Sequence, residues 1–171
     1  MTGPRKKAVE ASQNKGDLLA EALKSEWIMD VKAEVAQPIE VPDAPLGARR
    51  IIPIVGGTFE GPLLKGRVVP GGADYQIVRK DGVTILEAKY LLETDDGVII
   101  SVVNRGMRHG PAEVLRRVMA GEKVDPSEYY FRAAPEVEAP IGKYYWLNKS
   151  LFMSVGERSA TGVVIHFHRI L

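Results

Sequence analysis

Apolar and polar residues alternate strictly from Met29 to Val35: Met29, Val31, Ala33 and Val35 are separated by Asp30, Lys32 and Glu34. A period of two places the apolar set on one face of a half-buried strand. From Arg49 onward the signal returns in short bursts, which predict strands over 49–54, 63–69, 74–79, 84–94, 98–104, 143–147, 150–155 and 162–170. Gly71-Gly72, Asp81-Gly82 and Asp96-Gly97 fall between them as turn pairs, and Asp-Gly between alternating runs is a strong hairpin signal. One segment reads as a helix, near 111–120. Pro111 suits its first turn, Gly121 the position beyond its end, and Val114, Leu115 and Val118 form a narrow apolar stripe. Asp125-Pro126 starts a further single turn before Tyr129. Many short strands at turn-punctuated spacing point to an antiparallel barrel or sandwich.

The N-terminal part is organised differently. Residues 1–15 are polar and aperiodic, which predicts a mobile tail. Asp17 caps a short helix with Leu18, Leu19, Ala22 and Leu23 on one face. Pro38, Pro42 and Pro45 make the link after the first strand extended and irregular. The expected organisation is a tail over 1–15, then a helix, first strand and Pro-rich link over 16–48. A β-barrel domain follows over 49–171, with 28–36 as its first strand. Removal of residues 1–15 is expected to lower the thermal midpoint by less than about 5 °C, a shift worth roughly 1 kcal/mol or more at this size. A larger fall would show that the tail contributes to the folded body.

The 171 residues suit one domain with a real core, and 45% apolar content is ordinary for a globular chain. With 23 basic and 22 acidic residues the net charge is +1, which gives no reason to expect nucleic acid or an anionic membrane as partner. The chain has no cysteine, so disulfides, thiol nucleophiles and thiolate metal sites are excluded. No apolar run approaches the roughly 20 residues of a membrane span. The basic cluster near the N-terminus leads into the polar SQNKGD, not into the apolar core of a signal peptide. A cytoplasmic location is expected.

Few residues carry candidate chemistry. Gly-rich GGTFEG at 56–61 is followed by Pro62 and an apolar run where a phosphate-cradling loop would open a helix, so it reads as turn punctuation. His166 and His168 share one side of a strand, but no acidic ligand follows them and the only other histidine is His109. An exposed face of a terminal strand is the stronger reading, and no metal or other cofactor is expected. Asp74 follows two glycines and enters an apolar strand. Burial there raises a carboxyl's pKa and suits it to general acid or base work, although bonding the Gly71-Gly72 turn is the simpler role. Tyr144, Trp146 and Asn148 alternate and share a strand face, offering an apolar wall, a phenol and an amide. Asn104 and Arg105 close an apolar strand, where they reach a ligand at a barrel mouth or cap a loop. Tyr90 lies on the apolar Leu86-Ala88-Leu92 face and becomes a donor if that face lines a cavity.

Several of these segments together resemble the family catalogued as domain of unknown function 3237, also described as an uncharacterised protein family. The matching elements are GGTFEGP at 56–62, KGRVVPGGADY at 65–75, EAKYLLETDDGVII at 87–100, NRG at 104–106 and YYWLNKSLF at 144–152. Family patterns carry Asp where Glu87 stands and Trp where Tyr75 stands, departures that bear on substrate shape and not on fold. The resemblance implies a mainly β protein: a closed antiparallel β-barrel of lipocalin-like or calycin-like kind, with one or two short helices. It brings no agreed catalytic set.

The expected function is that of a small-molecule-binding barrel. A cofactor-independent isomerase, dehydratase or cyclase acting on an aromatic or carbonyl compound fits the inventory. Asp74 would transfer the proton, and Tyr90, Asn104, Arg105, Tyr144, Trp146 and Asn148 would bind ligand. The partner is then a small organic molecule, with no nucleic acid and no membrane; assembly into a homo-oligomer is compatible with the chain. The alternatives are a carrier or sensor without turnover, or an interaction protein with a filled barrel.

Overall fold

A computed structural model describes residues 24–159 and 161–171. The expected tail and the helix capped at Asp17 lie outside the described residues. Nine strands form: β1 (Ser25–Val35), β2 (Ile39–Val41), β3 (Ala48–Glu60), β4 (Lys65–Val78), β5 (Thr84–Thr94), β6 (Ile99–His109), β7 (Tyr130–Glu138), β8 (Phe152–Arg158) and β9 (Gly162–Ile170). Among the described residues, one helix, α1 (Ala112–Met119), and two 3-10 turns, Pro126–Glu128 and Tyr145–Lys149, complete the elements. The strands run β1-β9-β8-β7-β6-β5-β4-β3, and β1 pairs back onto β3. Every pairing is antiparallel, so eight strands close into a barrel, with the short β2 added outside on β3. Closure leaves no long unpaired edge, which an open sheet of this size would expose.

The hairpins at Asp81-Gly82 and Asp96-Gly97 form as the dipeptides predict, with Gly82 and Gly97 at φ 87° and 81°. The Gly71-Gly72 pair makes no turn. The runs 63–69 and 74–79 join into the single strand β4, with a register shift between Val69 and Ala73. Likewise β3 continues through Gly56-Gly57 to Glu60, with a shift between Ile54 and Thr58. Glycines here are bulge residues that bend two long strands around the barrel, a use that local composition does not separate from a turn.

The segment 143–147 is another correction. It belongs to the 3-10 turn Tyr145–Lys149 and its approach, while the strands absent from the sequence reading are the short β2, in the expected Pro-rich link, and β7. Pro135 in the middle of β7 argues against a central strand. It is accommodated because β7 pairs with β8 only at Arg132–Val155 and Ala133–Ser154. The β8 ladder has ended before Pro135, so its missing N–H loses no bond on that side.

Alternation along the strands divides the interior into two halves. At the end closed by the Tyr145–Lys149 turn, Phe59, Leu92, Ile100, Val102 and Phe167 pack with Leu147, all at most 2% exposed. At the other end β6 leads into α1, and the inward positions become small or polar: Ala33, Asp74, Gln76, Ala88, Asn104 and Arg108. No helix among the described residues is long and apolar enough to cross a membrane.

Candidate functional site

The half of the barrel nearest α1 encloses a cavity of about 60 Å³, room for a few waters or part of a small organic molecule. The interior is therefore not filled throughout. Its polar floor comes from three adjacent strands. Asp74 on β4 stands opposite Ala88 on β5, and Ala88 stands opposite Asn104 on β6. The small Ala88 side chain thus leaves open space between a carboxyl and an amide on flanking strands. Gln76 follows Asp74 on the same inward face, and Tyr90 follows Ala88.

Gln76, Tyr90, Asn104 and Arg108 are each at most 6% exposed. Gln76 Nε2 donates to Asp74 Oδ2 at 2.6 Å. Asp74 Oδ1, Gln76 Oε1, Tyr90 Oη and Asn104 Oδ1 are buried with no hydrogen-bond partner among the described residues. Buried polar atoms are ordinarily paired, since an unpaired one costs roughly 1–3 kcal/mol. Four such atoms belong to residues that line one cavity.

Burial raises the Asp74 carboxyl above its ordinary range, against the opposing pull of the Gln76 bond, the Arg108 charge and the Glu87 backbone. Burial, and then the Asp74 charge, push the Tyr90 phenol well above its ordinary value, so it is a donor. Burial lowers Arg108, and the Asp74 carboxylate partly restores it. The floor therefore offers one carboxyl of raised proton affinity, one phenol donor and two amides.

The other candidate residues fall elsewhere. Arg105 is exposed on the outer face, where its guanidinium bonds Glu87 at 3.0 Å and also meets Glu136. Tyr144 is buried at the closed end and donates to Asp96 Oδ1 at 2.8 Å. Trp146 packs against the core beneath the Arg169 guanidinium, 5.4 Å from its ring centre. Asn148 bonds the backbone of Ala139 in both directions, at 3.0 and 2.9 Å. None of these four lines the cavity. Asp96, in the β5–β6 turn, also accepts from Thr94 Oγ1 and Lys143 Nζ, which holds its carboxyl far below the usual range and pushes Lys143 up to about 12. The aromatic segment thus latches the closed end.

His166 and His168 face outward. Folding brings Asp30 to His166 Nδ1 at 2.7 Å and Glu157 to its Nε2 at 3.7 Å, partners that chain spacing does not show. No group of three or more metal-ligating side chains occurs among the described residues. Glu87 and Tyr75, the two departures from the family pattern, are also on the outer face.

Three polar lining residues are not among the sequence candidates: Gln76, Arg108 and Arg158. Gln76 shares the parity of Asp74. Arg108 shares that of Asn104 through Gly106, but the predicted strand stops at 104, where β6 runs to His109. Arg158 similarly ends β8, beyond the predicted limit of 155.

The model of the family described as protein of unknown function (DUF3237) matches residues 23–170. The chain belongs to this family. A UPF0311 protein of Rhodopseudomonas palustris is 42% identical over 149 residues, 87% of this chain and 97% of that one. The crystal structure of the Rhodopseudomonas palustris protein of unknown function superposes with a TM-score of 0.84, covering 87% of this chain and 98% of that one. A β-barrel-like protein from Acinetobacter baumannii, 39% identical, superposes with a TM-score of 0.76 over 87% of this chain and 96% of that one. An enzyme from Penicillium herquei shares the fold at 18% identity, with a TM-score of 0.67 over 88% of this chain and 96% of that one.

Proposed function

We propose that this DUF3237 barrel binds a small organic molecule in the cavity beside α1 and carries out a cofactor-independent proton transfer on it, with Asp74 as the acid or base. The observation that carries this reading is the set of buried, unpartnered polar atoms on Asp74, Gln76, Tyr90 and Asn104 around one cavity. Isomerisation, dehydration and cyclisation of a carbonyl or aromatic compound require a placed acid or base and donors for the oxygen that gains charge. Tyr90 Oη is such a donor. Asn104 Oδ1 accepts from a ligand hydroxyl, and Asp74 Oδ1 is free to take or give the proton.

Ala88→Phe tests the binding half, because the ring would occupy the space between Asp74 and Asn104. Small aromatic acids, amides and ketones are screened by thermal shift. Compounds that raise the wild-type midpoint should lose that effect in a folded Ala88→Phe variant. If every shift survives the substitution, the ligand sits outside the barrel and the reading is wrong. Tryptophan fluorescence is a poor reporter here, since Trp27 is on the surface and Trp146 at the closed end.

A further inference from the structure

The charges at the mouth of the cavity do not balance. Arg108 and Arg158 both line it, and Arg50 lies near enough to lower the proton affinity of each. Arg50 is paired with Glu40 at 3.0 Å. Neither Arg108 nor Arg158 has a carboxylate within ion-pair distance among the described residues. Arg108 is 6% exposed, and the protein acceptor for its guanidinium is the Met119 thioether, with Nη2 to Sδ at 3.4 Å. A thioether is a weak acceptor for so strong a donor. Arg158 Nε is buried with no partner. The one acidic group in the cavity is Asp74, which burial biases towards its neutral form.

A guanidinium taken out of water without an anion is costly, and Arg does not relieve the cost by losing its proton. Such an arrangement persists where a ligand supplies the missing charge. The local packing also orients Arg108: its guanidinium carbon lies 5.8 Å from the centre of the Phe131 ring. Gly156 makes room for that ring, since a Cβ at 156 would lie 2.5 Å from it. Arg108 stands at the α1 end of β6 and Asn104 four residues deeper, so an anion at the arginines leaves the rest of a molecule directed over Ala88 towards Asp74, Asn104 and Tyr90. The lining in between, Ile52, Leu86, Val163 and Ile165, is apolar.

We infer that the ligand of this barrel is a small monocarboxylic acid, its carboxylate held by Arg108 and Arg158 and its apolar body lying over Ala88 towards Asp74. The planar fork of a guanidinium matches a carboxylate in two parallel hydrogen bonds. This rests on the proposed cavity function and names its substrate class. A single carboxylate suits the site better than a phosphate dianion, because Asp74 shares the enclosure and the lining between it and the arginines is apolar.

The test compares monocarboxylates from butanoate to benzoate with their matched amides, by calorimetric titration of wild type, Arg108→Met, Arg158→Met and Ala88→Phe. Met keeps an unbranched apolar stem and removes the charge. Acids should bind the wild type at least about tenfold more tightly than the amides, and each Arg→Met should erase that preference, since hydrogen bonds between ionised partners are stronger than neutral ones. Arg108→Met and Arg158→Met should remain folded, which circular dichroism checks, and each reads the same preference independently. Acid binding that is indifferent to both arginine variants marks an adventitious surface site and overturns the inference. Amides binding as well as acids, with both blocked by Ala88→Phe, overturns the carboxylate and leaves the cavity reading standing. Binding of neither class overturns the carboxylate; a ketone blocked by Ala88→Phe would then still uphold the cavity.

Discussion

Asp74→Asn is expected to lower turnover at least about 100-fold while leaving the barrel folded, the loss typical of removing a general acid or base. The substituted amide keeps the volume of the carboxyl, and its oxygen still accepts from Gln76 Nε2. What it loses is the ability to take up a proton. Thermal stability gives a second, independent reading of the same side chain. The folded carboxyl has its pKa raised above the ordinary value of 3.8, chiefly by burial. Between those two values the folded state binds more protons than the unfolded chain, so wild-type stability falls as pH rises through that window. The amide of the Asp74→Asn variant does not ionise. The variant should therefore match the wild type below pH 3.8 and exceed it above the folded pKa, seen as a widening gap in thermal midpoint. The competing role, a carboxylate that fastens the backbone near Gly71-Gly72, makes the opposite forecast: a less stable variant at neutral pH with activity per folded molecule unchanged.

Gly57→Ala should cost about 3 kcal/mol or more, a fall of about 6–12 °C in midpoint for a chain of this size. Gly57 sits opposite Ala33 where β3 closes the barrel onto β1, with φ at +127°. A Cβ there would lie 2.0 Å from the Lys32 carbonyl oxygen, so backbone must move on one side of the seam. Gly71→Ala is the control. Its φ of +109° is also unfavourable for alanine, but no atom lies within 4 Å of the added carbon. Strain alone should cost that variant about 1–2 kcal/mol. Urea titration of both variants separates the two causes, and equal losses would show that steric closure at β1–β3 is not what requires Gly57.

An antiparallel barrel or sandwich was legible in the chain for a local reason, and closure into a barrel was implied by the family resemblance. Alternation in β1, β5 and β9, and the Asp-Gly pairs at 81–82 and 96–97, are set by backbone preferences within a few residues. The helix also announced itself: predicted near 111–120, it forms over Ala112–Met119. Where one local signal had two structural uses, the reading divided. Glycine pairs at 56–57 and 71–72 serve as bulges because long strands must curve to close a ring, which no window of a few residues contains. The aromatic alternation at 144–148 suits a strand and a 3-10 turn equally, and the choice falls to the packing of the closed end.

The candidate site shows the same boundary. Asp74, Tyr90 and Asn104 share an inward parity that the sequence carries, and all three meet at the cavity. Their company was decided by register: Asp74 faces Ala88 and Ala88 faces Asn104 only because β4, β5 and β6 pair at those positions. Arg108 and Arg158 join them from strand ends that local propensity does not mark. The sequence by itself therefore determined strand alternation, the hairpins at Asp81-Gly82 and Asp96-Gly97 and the inward parity of Asp74, Tyr90 and Asn104, because these depend on near neighbours along the chain. Tertiary structure alone decided where the barrel is packed and where it is open, and brought two arginines without carboxylate partners among the described residues to that opening, because ring closure sets those distances across strands far apart in sequence.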